Sequence, residues 1–216
     1  MSRLMFTGSD VLFATRLVGG RKFPTKFSKY FYMLGYTVFI KLCDLFVEGF
    51  YVVSEHLIDE LRPLRLKSAI KVLVDPPLYD EKFVKKAHRS FNILYYRGLG
   101  SNQVFKDWVY GYDVMQDVVG NFTHDWFNAK KVENILDVVS SRGINVIEAN
   151  GDADMSKVYP FIDVMIRPNR HDGYPRMVIE CEKNDIPYYW SKENPNVEDI
   201  IKFIENNDKS INGLRK

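Results

Sequence analysis

The chain has 216 residues and a formal charge of +2, from 30 Lys and Arg against 28 Asp and Glu. That length holds one large domain, or one domain and a fragment of another, and is enough for a proper core. Cys43 and Cys181 sit far apart and show no metal-ligand spacing, and no nucleic-acid recognition motif accompanies the basic residues.

Charge is unevenly placed. Residues 1–41 hold Arg3, Arg16, Arg21, Lys22, Lys26, Lys29 and Lys41 against Asp10 alone, a local excess of six. RLMFT (3–7) reads as a first strand, followed by a glycine turn at Gly8. Residues 27–46 are apolar and aromatic but carry Lys29, Lys41 and Asp44, too many charges for a membrane span. They read as a buried or amphipathic helix, with a basic aromatic surface on an anionic membrane as the alternative. GFYVV (49–53) is a second strand, and SEHLIDEL after it is a helix with Ser54 as N-cap.

IKVLV (70–74) is a third strand, leading through Pro76 and Pro77 into a helix over DEKFVKKAH (80–88). FNILYY (91–96) follows. Residues 98–130 are aromatic without clear periodicity, and a strand can be hidden there. INVIEA (144–149), DVMIR (163–167) and IPYYW (186–190) are further strands, and NVEDIIKFIEN (196–206) is an acidic, periodic helix. Strands alternating with helices predict a parallel sheet with helices on both faces. No secretory signal pattern opens the sequence, so Cys43 and Cys181 are expected to be thiols of a reducing, cytoplasmic compartment. His56 and the His124-Asp125 pair have no motif around them and read as structural.

The stretch HDGYPRMVIE (171–180) concentrates chemistry. It follows the apolar strand DVMIR and Pro168, at a strand's carboxyl end, where ligands bind in open α/β sheets. Gly173 lets backbone approach a ligand closely. Pro175 suits the first position of a helix running to Lys183, whose free N–H groups suit a phosphate. Glu180 lies about 7.5 Å further along the helix axis. There it repels phosphate but can accept hydrogen bonds from the hydroxyls of an adjacent sugar ring. Asp172, on the loop, can face the reacting end. The spacing suits a ligand with a central diphosphate and hydroxylated rings on both sides.

The unit also resembles the donor-binding signature of retaining glycosyltransferases of GT-B fold, the glycosyl transferase group 1 (family 4) type. That signature is an acid, seven intervening residues and a glutamate, after a strand ending in Pro-Ser or similar and before a Gly-hydrophobic-Pro turn. Here Pro168-Asn169, Asp172 to Glu180, and Asp185-Ile186-Pro187 stand in those places. GFYVVSEHLIDEL, IKVLVDPPLYDEKF and NILYYRGLG resemble other family elements, so the likeness runs from about residue 49 to 205. It departs at Asp172, one carbon shorter than the commoner Glu, at Asp185 in place of Gly, and in a much shortened acceptor side.

The resemblance implies an α/β, GT-B-like fold. Residues 1–70 would be an abbreviated N-terminal α/β portion on the acceptor side, and 71–216 a Rossmann-type parallel-sheet domain binding the nucleotide-sugar. It implies that Glu180 binds ribose hydroxyls, that Asp172 sits near the transferred sugar, and that Gly173, Tyr174, Pro175 and Gly98 belong to the donor site. Arg97 and Lys106 would neutralise the departing diphosphate, so that the scheme needs no metal and no cofactor beyond a UDP-, GDP- or ADP-sugar donor. The implied activity is hexosyl transfer with retention to an acceptor that is a glycan, lipid or protein. Peripheral membrane contact through the basic N-terminal region and homo-oligomerisation are compatible with it; nucleic acid is not expected. The alternative is a non-catalytic nucleotide-binding or protein-interaction module derived from such an enzyme.

Overall fold

Three short strands build a first sheet: β1 (Arg3–Phe6), β2 (Gly49–Val52) and β3 (Ala69–Val72). The computed structural model describes residues 3–6, 26–73, 82–88, 90–98, 103–129, 144–150, 153–170, 175–191 and 194–207. β2 lies between the other two, parallel to both, with Phe50 in register with Leu4 on one side and Ile70 on the other. Helix α1 (Lys26–Cys43) precedes β2, and α2 (His56–Leu61), extended by a 3-10 turn over Arg62–Leu64, precedes β3. Their apolar faces meet the sheet around Ile40, Phe50, Val52, Leu57, Leu61 and Leu64. Asp44, just past α1, accepts the amides of Lys67 (2.6 Å) and Ser68 (2.8 Å), which fixes the entry to β3. Burial pushes the Asp44 carboxyl up, but those two amides, with the Ser68 hydroxyl and the Lys67 charge, outweigh it and hold it below the usual range.

The second sheet is wholly parallel, in the order β5-β6-β4-β7-β8. Its strands are β4 (Phe91–Tyr96), β5 (His124–Asn128), β6 (Ile144–Ala149), β7 (Val164–Arg167) and β8 (Tyr188–Trp190). β4, β6 and β7 are buried along nearly their whole length, as parallel strands covered on both faces must be. Two asparagines interrupt that apolar run and are satisfied. Asn92 and Asn145 stand opposite each other in the ladder, Asn145 donating to Asn92 Oδ1 (3.0 Å) and Asn92 donating to the Phe161 carbonyl (2.7 Å).

The helices follow amphipathic spacing. α3 (Gln103–Val109) and α4 (Tyr112–Val119) come after β4, and α5 (Met155–Val158) with a 3-10 turn (Tyr159–Phe161) comes before β7. α6 (Arg176–Lys183) connects β7 to β8, and α7 (Val197–Asn207) closes the described chain. Val114, Met115, Val118 and Val119 of α4 and Ile200, Ile201 and Ile204 of α7 join Ile93, Tyr95, Val146 and Ile166 of the sheet in one core. Asp154 caps α5 through the Ser156 amide, and Asn196 receives the Asp199 amide at the start of α7.

The architecture is α/β with a Rossmann-type parallel sheet, as the sequence predicts, and several local expectations change. The strand hidden in 98–130 is β5, preceded by α3 and α4. α2 starts at His56, after Glu55, which makes no side-chain cap bond, so the helix opens one residue later than an N-cap at Ser54 predicts. Residues 82–88 of the expected helix 80–88 are not helical. Their amides bond to distant partners instead, Phe83 N–H to Asn184 Oδ1 (2.7 Å) and Lys86 N–H to the Pro160 carbonyl (2.8 Å). The described residues fall into two compact units, 3–73 with Pro175, and 82–207 without it. Residue 70, where the sequence reading divides the chain, lies inside β3, which pairs wholly within the first unit.

Candidate functional site

The carboxyl end of the second sheet gathers Arg97 after β4, Glu148 on β6 and Arg167 closing β7. Arg97 is held by its own protein. Its guanidinium gives two hydrogen bonds to Asp107 (2.7 and 2.9 Å), lies 3.7 Å from Glu148, and stacks 3.9 Å from the centre of the Tyr112 ring. Trp126 Nε1–H donates to the same Glu148 oxygen (2.9 Å), and Gln103 donates to Asp107 (2.6 Å) and to the Gly98 carbonyl (3.2 Å). The Asp107 bond, against burial, drives the Arg97 pKa still higher. Burial pushes Asp107 up, but Arg97 and Gln103 outweigh it and hold it low. The group is one cation between two carboxylates, so any phosphate must share Arg97 with Asp107.

Gly98 is buried against Tyr110: a Cβ built there would lie 2.1 Å from that ring. Lys106 is half-buried on α3, its ammonium 5.7 Å from the Tyr110 ring centre. Asp107, its neighbour, brings α3 to Arg97.

Glu180 is 1% exposed, on the inner face of α6. Its carboxylate accepts from the Tyr159 hydroxyl at 2.5 Å. Burial, with Cys181 and Glu180 beside it, pushes the Tyr159 hydroxyl pKa far up, so it remains a donor at any ordinary pH. Cys181 is likewise pushed up by burial and is no nucleophile. Asp172, Gly173 and Tyr174 lie outside the described residues; Pro175 is described and precedes the first residue of α6, Arg176.

Between the two groups stands a cation the sequence reading passes over. Arg167 is 5% exposed, 5.0 Å from the Tyr96 ring centre and 5.7 Å from that of Tyr110, with Nη1 3.5 Å from Met177 Sδ in the first turn of α6. Its charge acts on both Tyr159 and Cys181, against their upward shifts. Glu148 is missed as well. Each was signalled by a charged residue near the carboxyl end of a mostly apolar buried strand, Glu148 in INVIEA and Arg167 in VMIR. The structure thus draws Arg97, Gly98 and Lys106 into one neighbourhood and Glu180 into a second, with Arg167 next to both.

No family model matches the chain, and no curated protein sequence matches it. Among solved structures it is similar to the crystal structure of TarM, with a TM-score of 0.55 and 11% identity, over 94% of this chain and 42% of TarM. A structure of accessory secretory protein 1, 2 and 3 in Streptococcus pneumoniae aligns with a TM-score of 0.40 and 15% identity, over 80% of this chain and 39% of that one. The chain therefore spans less than half of the structure it matches better. At that identity the likeness is one of fold, and the fold of this chain is GT-B-like.

Proposed function

We propose that the second unit binds a nucleotide-diphosphate sugar and that the chain transfers the sugar with retention of configuration, without a metal. The observation that carries this reading is Glu180. It is a carboxylate turned into the protein, in the middle of an eight-residue helix that starts beyond the carboxyl end of a parallel strand. A carboxylate accepts at both of its oxygens, and the hydroxyls of a ribose are donors that suit it. The fold supports the reading, since TarM is a glycosyltransferase. Asp172, Gly173, Tyr174 and Pro175 take the roles that the signature gives them, and Gly98 borders the donor. In the transfer the bond from the anomeric carbon to the diphosphate oxygen breaks, its electron pair staying on that oxygen. The acceptor hydroxyl oxygen forms the new bond to the anomeric carbon, and its proton passes to the departing diphosphate oxygen. Arg97 and Lys106 carry positive charge toward the departing diphosphate. The two free thiols, Cys43 and Cys181, suit a cytoplasmic location.

One observation favours a second reading, a nucleotide-binding module without turnover. Arg97 already sits between Asp107 and Glu148, which leaves less positive charge for a leaving group. A panel of UDP-, GDP- and ADP-sugars, assayed for nucleotide release and separately for binding by calorimetry, distinguishes the two. Turnover that falls at least about a hundredfold in Glu180→Gln, with the circular dichroism spectrum unchanged, is the expected result. Binding without turnover, lost in the same variant, establishes the module instead. A chain that neither binds nor turns over any of them refutes both.

A further inference from the structure

Helix α1 packs one flank against the first unit's core, with Ile40 fully buried and Tyr36 partly so. Its opposite flank carries exposed apolar side chains. Phe31, Leu34, Val38 and Leu42 follow one another at three- and four-residue steps, and Leu45 and Phe46 extend the row past the helix end. Such steps keep side chains on one stripe of a helix. Leu34 is 60% exposed and Phe46 80%. A continuous apolar row of this kind marks a docking surface, unlike apolar residues scattered singly.

Charge decides between occupants. α1 carries Lys26, Lys29 and Lys41 and no carboxylate over its 18 residues. Lys41 is exposed at the border of the row. The first acid beyond the helix, Asp44, is occupied with the amides of Lys67 and Ser68. A second copy meeting this face would set one positively charged helix against another, whereas a negatively charged surface complements the charge. No helix among the described residues is long and apolar enough to cross a membrane.

We propose that α1 lies flat on an anionic phospholipid bilayer, with Phe31, Leu34, Val38, Leu42, Leu45 and Phe46 at the acyl boundary and Lys41 among the headgroups. The proposal is independent of whether the second unit turns over a donor. The test is flotation of the full chain with vesicles of phosphatidylcholine alone and of phosphatidylcholine mixed with phosphatidylglycerol. The wild type floats with the mixed vesicles, less so at high salt and far less with phosphatidylcholine alone. In the double variant Leu34→Glu, Leu42→Glu the bound fraction falls at least about tenfold, and Lys41→Glu gives a smaller loss. Both leucines are exposed, so the variants keep the wild-type circular dichroism and thermal midpoint. A wild type that does not float, or a double variant that floats as well, overturns the proposal. So does a wild-type dimer in light scattering that the double variant splits into monomers.

Discussion

Asp163 ties the 82–88 segment to the amino end of β7. Its carboxylate accepts from the His88 ring (2.7 Å), the Lys85 ammonium (2.9 Å) and the Asn92 amide (2.9 Å). Burial pushes Asp163 up, but His88, Lys85 and the Asn92 amide outweigh it and hold it below its ordinary 3.8. The Asp163 bond, against burial, holds His88 above its ordinary 6.5. The His88 contribution is therefore complete below pH 6.5 and lost as the pH rises through the folded value. That of Asp163 is present above pH 3.8 and lost as the pH falls through its own folded value. His88→Gln is expected to lower the unfolding free energy by about 1–3 kcal/mol near pH 5.5 and far less near pH 9, in urea titrations. Equal losses at both pH values contradict the ion pair. A second residue-scale case is Asp185, where the resembled family has Gly. Its φ is +53°, in the left-handed region, and the Ile186 amide closes back on the Cys181 carbonyl (2.9 Å) to end α6. Asp185→Gly removes that backbone cost and loses only an exposed ion pair with Lys82, so it should raise stability by up to about 1 kcal/mol. A fall in thermal midpoint would mean that the ion pair outweighs the backbone.

At the scale of elements, the corner between α3 and α4 anchors the chain that leads toward the candidate stretch. Arg170, after β7, bonds its amide to the Val109 carbonyl (2.9 Å), its guanidinium to the Trp108 carbonyl (2.8 Å), and both terminal nitrogens to Asp113 (2.7 and 2.6 Å). That close approach needs Gly111, whose φ is +64° and where a Cβ would stand 2.0 Å from the Pro168 carbonyl oxygen. Gly111→Ala is expected to cost about 2–4 kcal/mol in urea unfolding. Gly120→Ala, at an ordinary helical φ of −56° with its nearest neighbour at 3.3 Å, should cost under about 1 kcal/mol. Similar costs at the two sites contradict the packed corner. Neither the corner nor the irregular 82–88 segment was legible beforehand. KFVKKAH has helical spacing, but two of its backbone amides find partners at Asn184 and Pro160, and no local pattern announces partners that far along the chain.

At the scale of the whole molecule, the two units differ in how much structure each gathers. The first has a three-stranded sheet and the second five strands, with the larger described core. The chain's three tryptophans are Trp108, Trp126 and Trp190, all in the second unit. Guanidinium unfolding is thus expected to lose far-ultraviolet circular dichroism in a first phase while tryptophan fluorescence holds, and to lose both in a second. Coincident curves would mean that the units unfold as one. The sequence by itself determined the alternation of strands and helices, the buried strands of the second sheet and the helix that carries Glu180. Those follow from apolar period and run length, which neighbouring residues fix together. Only the tertiary structure decided that Arg97 is neutralised by Asp107 and Glu148, that Arg167 stands near Glu180, and that α1 leaves an apolar row uncovered. Charge pairing and exposure depend on which distant segments meet, and that is set by the packing of sheets and helices.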